Sequence, residues 1–480
     1  EKLYSALGSY SDSAEKTKLC VYQQAEALMS TGSYAEAEKL YAQISGYQDS
    51  AEKAKGCRLE QGRALYEAED WHGALRFLDD LAYGDSVVLA AECHVALGEA
   101  SLKAGKTDEA ADEYAMAAAL PKAQEMLYSL GKDYAAVNQT EKAIQALWAA
   151  GEHSASQTLL MEMGSLLEQG GKKELALIAY LSANHTGDLG ENAEKLIRGV
   201  SHEGLSKTLE GFTLLSASVQ YADESRYRYA KSLTGIEEYT RAYEVLASLK
   251  DYKDTASLIA GNAGLSSAAA AAEFERKWSV GNTVTYGAYE QDNVTGNGKE
   301  PLRWRVLKRE GQKALLISEM NLDCQPYNKE DTSVTWETCT LRTWLNGPFL
   351  NAAFTAEEQK GILTTAVKND DNPKYKTDGG NPTQDKVFLL SIAEAETLFR
   401  SDADRAGKNT DYAKAQGAYD SSGAGWWWLR SPGLYLDYAA RVIAGGSVDR
   451  LGDRVHYVNL AVRPALWLDL TSDIVTSEAP

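Results

Sequence analysis

The sequence predicts two architectures in one chain: an all-α solenoid of helical hairpins over residues 1–275 and an α+β domain over residues 276–473. Three observations carry this. The first half repeats at intervals of 33 to 37 residues, the period breaks near Trp278, and the stretch 426–467 crowds aromatic, small and turn-forming residues together.

A chain of 480 residues is too long for one core, and domains run to roughly 100 to 200 residues each. Hydrophobic content of 44 % and charged content of 25 % are those of a globular protein. A net charge of −20 argues against nucleic acid, whose phosphates need clustered Lys and Arg. No apolar run reaches the roughly 20 residues of a membrane span. The opening EKLYSALGSY reads as the tail of an element, compatible with a removed export signal or anchor; cell-surface or extracellular placement is expected over cytoplasmic.

In the first half, GSYSDSAEKTKLC, GYQDSAEKAKGC and AYGDSVVLAAEC share a Tyr-x-Asp-Ser turn before a helical pattern, in which Ser and Asp are expected to cap the helix start. A second helix follows each. Its signature is a turn residue, then alanine, then a bulky residue: Gly32, Ala37, Tyr41; Gly105, Ala110, Tyr114; Gly171, Ala176, Tyr180. Ala74, Ala143 and Ala242 extend the ladder, with a degenerate rung near Leu209. Alanine lets two helices approach closely, and the aromatic is expected to fill the groove to the neighbouring pair. Residues 1–270 thus resemble the tetratricopeptide family in their Gly, Ala and Tyr places, while its Trp and Pro places are mostly absent. The resemblance implies a spacer or a surface for a protein partner.

His72, His94, His153, His185 and His202 lack metal-ligand spacing and read as surface or lightly buried. Cys20, Cys57 and Cys93 each fall ten residues after a tyrosine, Tyr10, Tyr47 and Tyr83, as packing residues would. Only Cys324 and Cys339 remain as candidates for a disulfide. No CxxC pair occurs, and DNVTGNGKE lacks the closing glutamate of a calcium loop, so no metal or cofactor is expected.

From Trp278 onward, Val280, Val284 and Tyr286 alternate, and PLRWRVLKREGQKALLISE reads as two strands about a Glu-Gly turn. TLRTWLNGPFLNAAFTAEEQKGIL reads as a helix, a break at Gly347-Pro348, and a second helix opened by Thr355 with Glu358. DKVFLLSIAEAETLF gives a strand and a helix, and the rest is mostly strand and loop.

The pieces LRTWLNGPFLNAAFTAEEQ, VFLLSIAEAE, WWWLRSPG and AVRPALWL, in this order, resemble the C-type-lectin-fold domain of bacterial variable proteins diversified by diversity-generating retroelements. In that family, an error-prone copy made by a reverse transcriptase replaces codons of the variable gene at adenines. The resemblance implies a non-enzymatic display protein that presents a hypervariable face to a protein or cell-surface ligand. It accounts for one absence: no Lys, Glu, Gln, Met or Trp occurs from Leu434 to Leu460, and asparagine codons altered at their adenines never encode those five.

By that resemblance, Trp426, Trp427, Leu429, Arg430, Ser431, Pro432, Gly433, Ala439, Val462, Arg463, Pro464 and Leu466 form a frame that holds loops without a regular sheet. The varied, ligand-binding positions are Leu434, Tyr435, Leu436, Tyr438, Ile443, Asp449, Leu451, Arg454, His456, Tyr457, Asn459 and Leu460. The residues alone also permit an ordinary edge strand, with Leu434 and Leu436 inward. Two rival functions stay open. The same broad fold resembles formylglycine-generating oxidases, whose cysteine pair comes late, whereas Cys324 and Cys339 come early. A sugar-binding lectin of the calcium-dependent kind would show Glu-Pro-Asn or Gln-Pro-Asp with Trp-Asn-Asp, none of which occurs, leaving only a calcium-independent carbohydrate-binding domain.

Overall fold

The computed structural model describes residues 12–183 and 191–472, so EKLYSALGSY with Tyr10, and His185, lie outside the described residues. The chain divides into two compact units, one ending at Ala269 and one beginning at Ala270.

The first unit is built of long and short helices in alternation. Ser13–Ser30 precedes Tyr34–Gln43, Ser50–Glu67 precedes Trp71–Leu78, and Ser86–Lys103 precedes Thr107–Met116. Pro121–Ala136 then pairs with Thr140–Ala149, Ser154–Gln169 with Lys173–Ala183, and Ser218–Gly235 with Tyr239–Leu249. Ala37, Ala74, Ala110, Ala143, Ala176 and Ala242 are all fully buried, because any larger side chain would push the paired helices apart. Gly32, Gly105 and Gly171 reverse the chain with φ of +79°, +74° and +75°, the left-handed region that glycine enters without a side-chain clash.

Two expectations are corrected here. Tyr114 packs on Gly98 in the long helix of its own pair, where a Cβ would stand 2.7 Å from the ring, and Tyr180 packs likewise on Gly164. The ring therefore fills a slot within its pair. The aspartate side chains of the Tyr-x-Asp-Ser turns do not cap: Asp49 and Asp85 precede their helices, but their carboxylates accept nothing from the first turn. Asp49 instead accepts from the Tyr22 hydroxyl at 2.6 Å, and Asp85 from Arg63 at 2.9 Å, so each ties its pair to the preceding one. Asp254 and Tyr227 repeat the pattern.

The degenerate rung also has a structural cause. After His202–Leu209, residues 211–217 run without regular structure onto the helix Thr140–Ala149. There the buried Gln145 accepts from the Leu214 amide at 2.8 Å and donates to Ser218 Oγ at 3.2 Å. Phe212 and Leu215 are buried with it. Cys57 and Cys93 are packing residues, and His94, 8 % exposed, is deeper than a surface histidine.

Ten strands organise the second unit: β1 (Thr283–Tyr289), β2 (Glu300–Glu310), β3 (Lys313–Ser318), β4 (Asp323–Cys324), β5 (Val387–Phe388), β6 (Trp427–Pro432), β7 (Tyr438–Val442), β8 (Val448–Arg454), β9 (Ala461–Val462) and β10 (Ala465–Asp469). One five-stranded sheet has the order β1-β2-β3-β10-β5, and the other β8-β7-β6-β9-β4. Short pairings link Thr365–Val367 to Thr383–Asp385 and Ala424–Gly425 to Gly407–Lys408 and Asp420–Ser421. One hydrophobic core includes Trp304, Trp336, Trp427 and Trp428, each fully buried, and reaches back to Trp278.

The expected break at Gly347-Pro348 is a π turn, Leu345–Phe349, between Thr340–Trp344 and Leu350–Ala353. Such a widened turn accommodates a proline that cannot donate to the helix. Thr355 and Glu358 do cap each other, at 2.6 and 3.2 Å, but the helix they open, Glu358–Gly361, is only one turn long.

Candidate functional site

The closing segment folds as a sheet whose connections form one surface. β6 pairs antiparallel with β7 and β7 with β8, while β6 runs parallel to β9 at its start. A regular sheet therefore replaces the sheet-free frame that the resemblance implied. LYLDY is no edge strand: residues 434–437 are a bend and turn between β6 and β7.

The frame is largely buried and its arginines are held by hydrogen bonds, although the buried Trp427 Nε1 has no hydrogen-bond partner among the described residues. Trp427 is fully buried, with the Arg463 guanidinium 5.2 Å from its ring centre. Arg463 donates to the carbonyls of Ser318, Arg405 and Glu319 at 3.0, 2.9 and 3.1 Å, and burial pushes its guanidinium down to about 10. Arg430 donates to the carbonyls of Leu389 and Lys368 and pairs with Glu394. Pro432 pairs with Ala439, and Pro464 accepts from the Ser318 amide. Trp426 differs from the others: it is half-buried, stacked by Tyr419 at 4.0 Å and by the Arg441 guanidinium at 4.2 Å.

Most of the expected display residues do come together. The Leu434 amide donates to the Leu451 carbonyl at 2.8 Å, and the Val455 amide to Asp437 at 3.0 Å, so the 434–437 turn lies against β8 and its exit. A chain of contacts then crosses the surface. Tyr435 meets Tyr438 edge-on, Arg454 lies over Tyr438, Asp331 pairs with Arg454 and lies 2.9 Å from His456 Nδ1, and His456 meets Tyr457 edge-on. Tyr435 is 60 % exposed, Leu451 43 % and Tyr457 39 %, while Leu434, Leu436 and Asn459 are half-buried. Asp449 turns to Arg441 across the strands and is spent in that ion pair.

Two expected positions fall away. Leu460 is fully buried, since the chain turns inward there to enter β9, and is not displayed. Ile443 follows the last residue of β7, at the opposite end from Tyr438, in the turn to β8. Sequence reasoning missed Val458, 66 % exposed beside Tyr457 and inside the same Lys- and Glu-free window. It also missed Asp331 and the loop 368–382, whose only signal is the turn-rich string DDNPKYKTDGGN.

That loop matters because of how it grips. The fully buried Asn372 donates through Nδ2 to the carbonyls of Pro432, Gly433 and Arg450 at 2.8, 3.2 and 2.7 Å. Thr377 Oγ1 reaches the carbonyls of Gly433 and Leu434. Elsewhere the Val334 amide donates to Leu436, the Asn328 amide to Val455 and the Tyr419 amide to Asn459, at 2.8 to 2.9 Å. Every one of these contacts ends on a main-chain oxygen.

Cys324 and Cys339 are not bridged. The Cys324 thiol donates to the Val458 carbonyl, and Cys339 begins the helix Thr340–Trp344, accepting from the Arg342 amide. Burial pushes both thiols up to about 12. Away from the face, the carboxylates of Glu290, Asp292 and Glu300 converge within 4.8 Å in the β1–β2 loop. Glu300 accepts from the Gln291 amide, and Asp292 from the Val294 amide and Asn297, while the buried Glu290 Oε1 has no hydrogen-bond partner among the described residues. Among the described residues no helix is long and apolar enough to cross a membrane.

Comparison with known proteins adds three findings. No curated protein matches the chain. The tetratricopeptide (TPR) domain of P58(IPK), a solved crystal structure, is 15 % identical over 54 % of this chain and 80 % of that one, with a TM-score of 0.16, so the helical-repeat description rests on the helices themselves. Residues 311–470, from the turn before β3 to the residue after β10, match the family model described as "Domain of unknown function (DUF6273)".

Proposed function

We propose that this protein is a non-enzymatic binding protein whose C-type-lectin-fold head displays a diversifiable face, centred on Tyr435, Leu451, Tyr457 and Val458, to a protein or cell-surface ligand. The observation that carries the reading is the grip on main-chain oxygens. Asn372, Thr377 and the amides of Asn328, Val334 and Tyr419 hold residues 432–459 through carbonyls alone. A contact of that kind survives a change of side chain. Rigid aromatic and aliphatic side chains on a fixed backbone are also what a paratope uses, since little side-chain entropy is lost on binding. The missing residue types from Leu434 to Leu460 support variation by a retroelement. Thiols held near 12 stay protonated at neutral pH, which disfavours cysteine chemistry. The helical unit is read as the carrier, with room for a second protein partner.

A library randomised at Tyr435, Leu451, Tyr457 and Val458 tests the display reading. Most members should express and resist protease as the parent does; if most unfold, the face is structural and the reading fails. The retroelement part has its own test. A near-copy of the codons for residues 426–467, differing at adenines and close to a reverse-transcriptase gene, is the expected genomic arrangement, and a complete neighbourhood without both removes it.

A further inference from the structure

His94 lies on the helix Ser86–Lys103, between two short helices that belong to successive pairs. Its Nδ1 is 2.8 Å from Glu113 Oε2, on Thr107–Met116, and its Nε2 is 3.1 Å from Asp79 Oδ1, the residue that ends Trp71–Leu78. The side chain is 10 % exposed. A neutral imidazole has one N–H and one lone pair, so it satisfies one carboxylate and turns a lone pair on the other; only the imidazolium donates to both.

We propose that His94 is a proton-operated staple between the second and third helical pairs: protonated, it ties Asp79 to Glu113, and deprotonated, it releases one of them and loosens the junction. The inference is independent of what the head binds. Asp79 and Glu113 are the charged groups that act on the ring. On its own helix, Glu92 accepts from the Tyr66 hydroxyl at 2.6 Å, and the Cys93 thiol, pushed up to about 11 by burial, is neutral. Asp79 also sits at a helix C-terminus, where a negative charge opposes the helix dipole and a neighbouring cation relieves it.

Burial lowers the affinity of the ring for its proton, but the hydrogen bonds to Glu113 and Asp79 outweigh that, and the net direction is upward. A histidine whose folded value is raised contributes stability that is fully present below the free imidazole value, about 6.5, and is lost as pH rises through the folded value. Mildly acidic surroundings therefore stiffen this junction, and alkaline ones loosen it.

The test uses the full chain. In a ¹⁵N-imidazole NMR titration, with the His94 signal assigned by its loss in His94→Gln, His94 should titrate above the free value of about 6.5. Amide exchange corrected for its intrinsic pH dependence should rise about threefold or more in Trp71–Leu78 and Thr107–Met116 between about pH 6 and about pH 8, with Ser154–Gln169 unchanged. In the double variant Asp79→Asn, Glu113→Gln, the His94 titration should fall and the pH-dependent exchange should vanish. A wild-type titration at or below the free value overturns the proposal, as does unchanged pH-dependent exchange in a folded double variant. If the double variant does not fold, the wild-type titration decides alone.

Discussion

The guanidinium of Arg463 lies over the ring of Trp427, 5.2 Å from its centre, and both are almost wholly removed from solvent. The cation is held by three carbonyls and has no carboxylate within hydrogen-bonding distance among the described residues, so the rings of Trp427 and Phe399 and the main-chain oxygens are its contacts, with Asp404 and Glu319 acting from farther off.

Trp427→Ala should leave a cavity beneath β6 and cost about 3–5 kcal/mol, read from denaturant unfolding of the second unit. Tyr435→Ala, Leu451→Ala and Tyr457→Ala should each cost under about 1 kcal/mol, because these side chains already face solvent. Tyrosines as costly as Trp427 would mean that the face is core.

Asn372→Ala strips the donor from three carbonyls at once and should cost about 1–3 kcal/mol. Its signature is local: amide exchange should rise across residues 433–438 and 450–452 while β1–β3 stay protected. Uniform loosening of the unit would assign Asn372 a general packing role.

Gly98→Ala places a methyl 2.7 Å from the Tyr114 ring and should cost about 1–3 kcal/mol through overpacking. Tyr114→Leu in the same chain should recover part of that loss, a non-additivity visible in a double-mutant cycle. Strict additivity would place the ring elsewhere.

Native protein treated with iodoacetamide near pH 8 should be labelled at Cys20, which is half-buried, while Cys324 and Cys339 stay unmodified, since burial raises their thiols to about 12. Reduction beforehand should change nothing. Labelling of Cys324 or Cys339 at the rate of Cys20, or a mass change on reduction, would contradict the free, buried thiols.

The helical unit was legible because its determinants are local: a glycine turn, an alanine contact and a period that any window of the sequence repeats. The function of Asp49 and Asp85 was not, because an aspartate before a helix satisfies the capping pattern whichever way its carboxylate turns, and here it turns to the pair before. In the closing segment, the resemblance grouped residues most of which adjoin one another, but it did not say which of them reach solvent. Leu460 and Val458 are both aliphatic and two residues apart, yet one is fully buried and the other 66 % exposed. Nothing in the closing sequence points to Asn372, which comes 60 residues before the first carbonyl it holds.

Gln145 and its hold on residues 212–218 alter how the helical unit can evolve. A stack in which each hairpin touches only its neighbours can lose or duplicate one freely, since every junction is equivalent. Here Leu214 and Ser218 lean on a residue 69 and 73 positions earlier. Excising the pair Pro121–Ala136 and Thr140–Ala149 would orphan a distant linker as well as closing a gap, and inserting one after it would pull that linker off its seat. The Ser216 amide also donates to Asp112 at 2.7 Å, so the repeat number is locked between Asp112 and Ser218, and length variation is left to the hairpins outside that span.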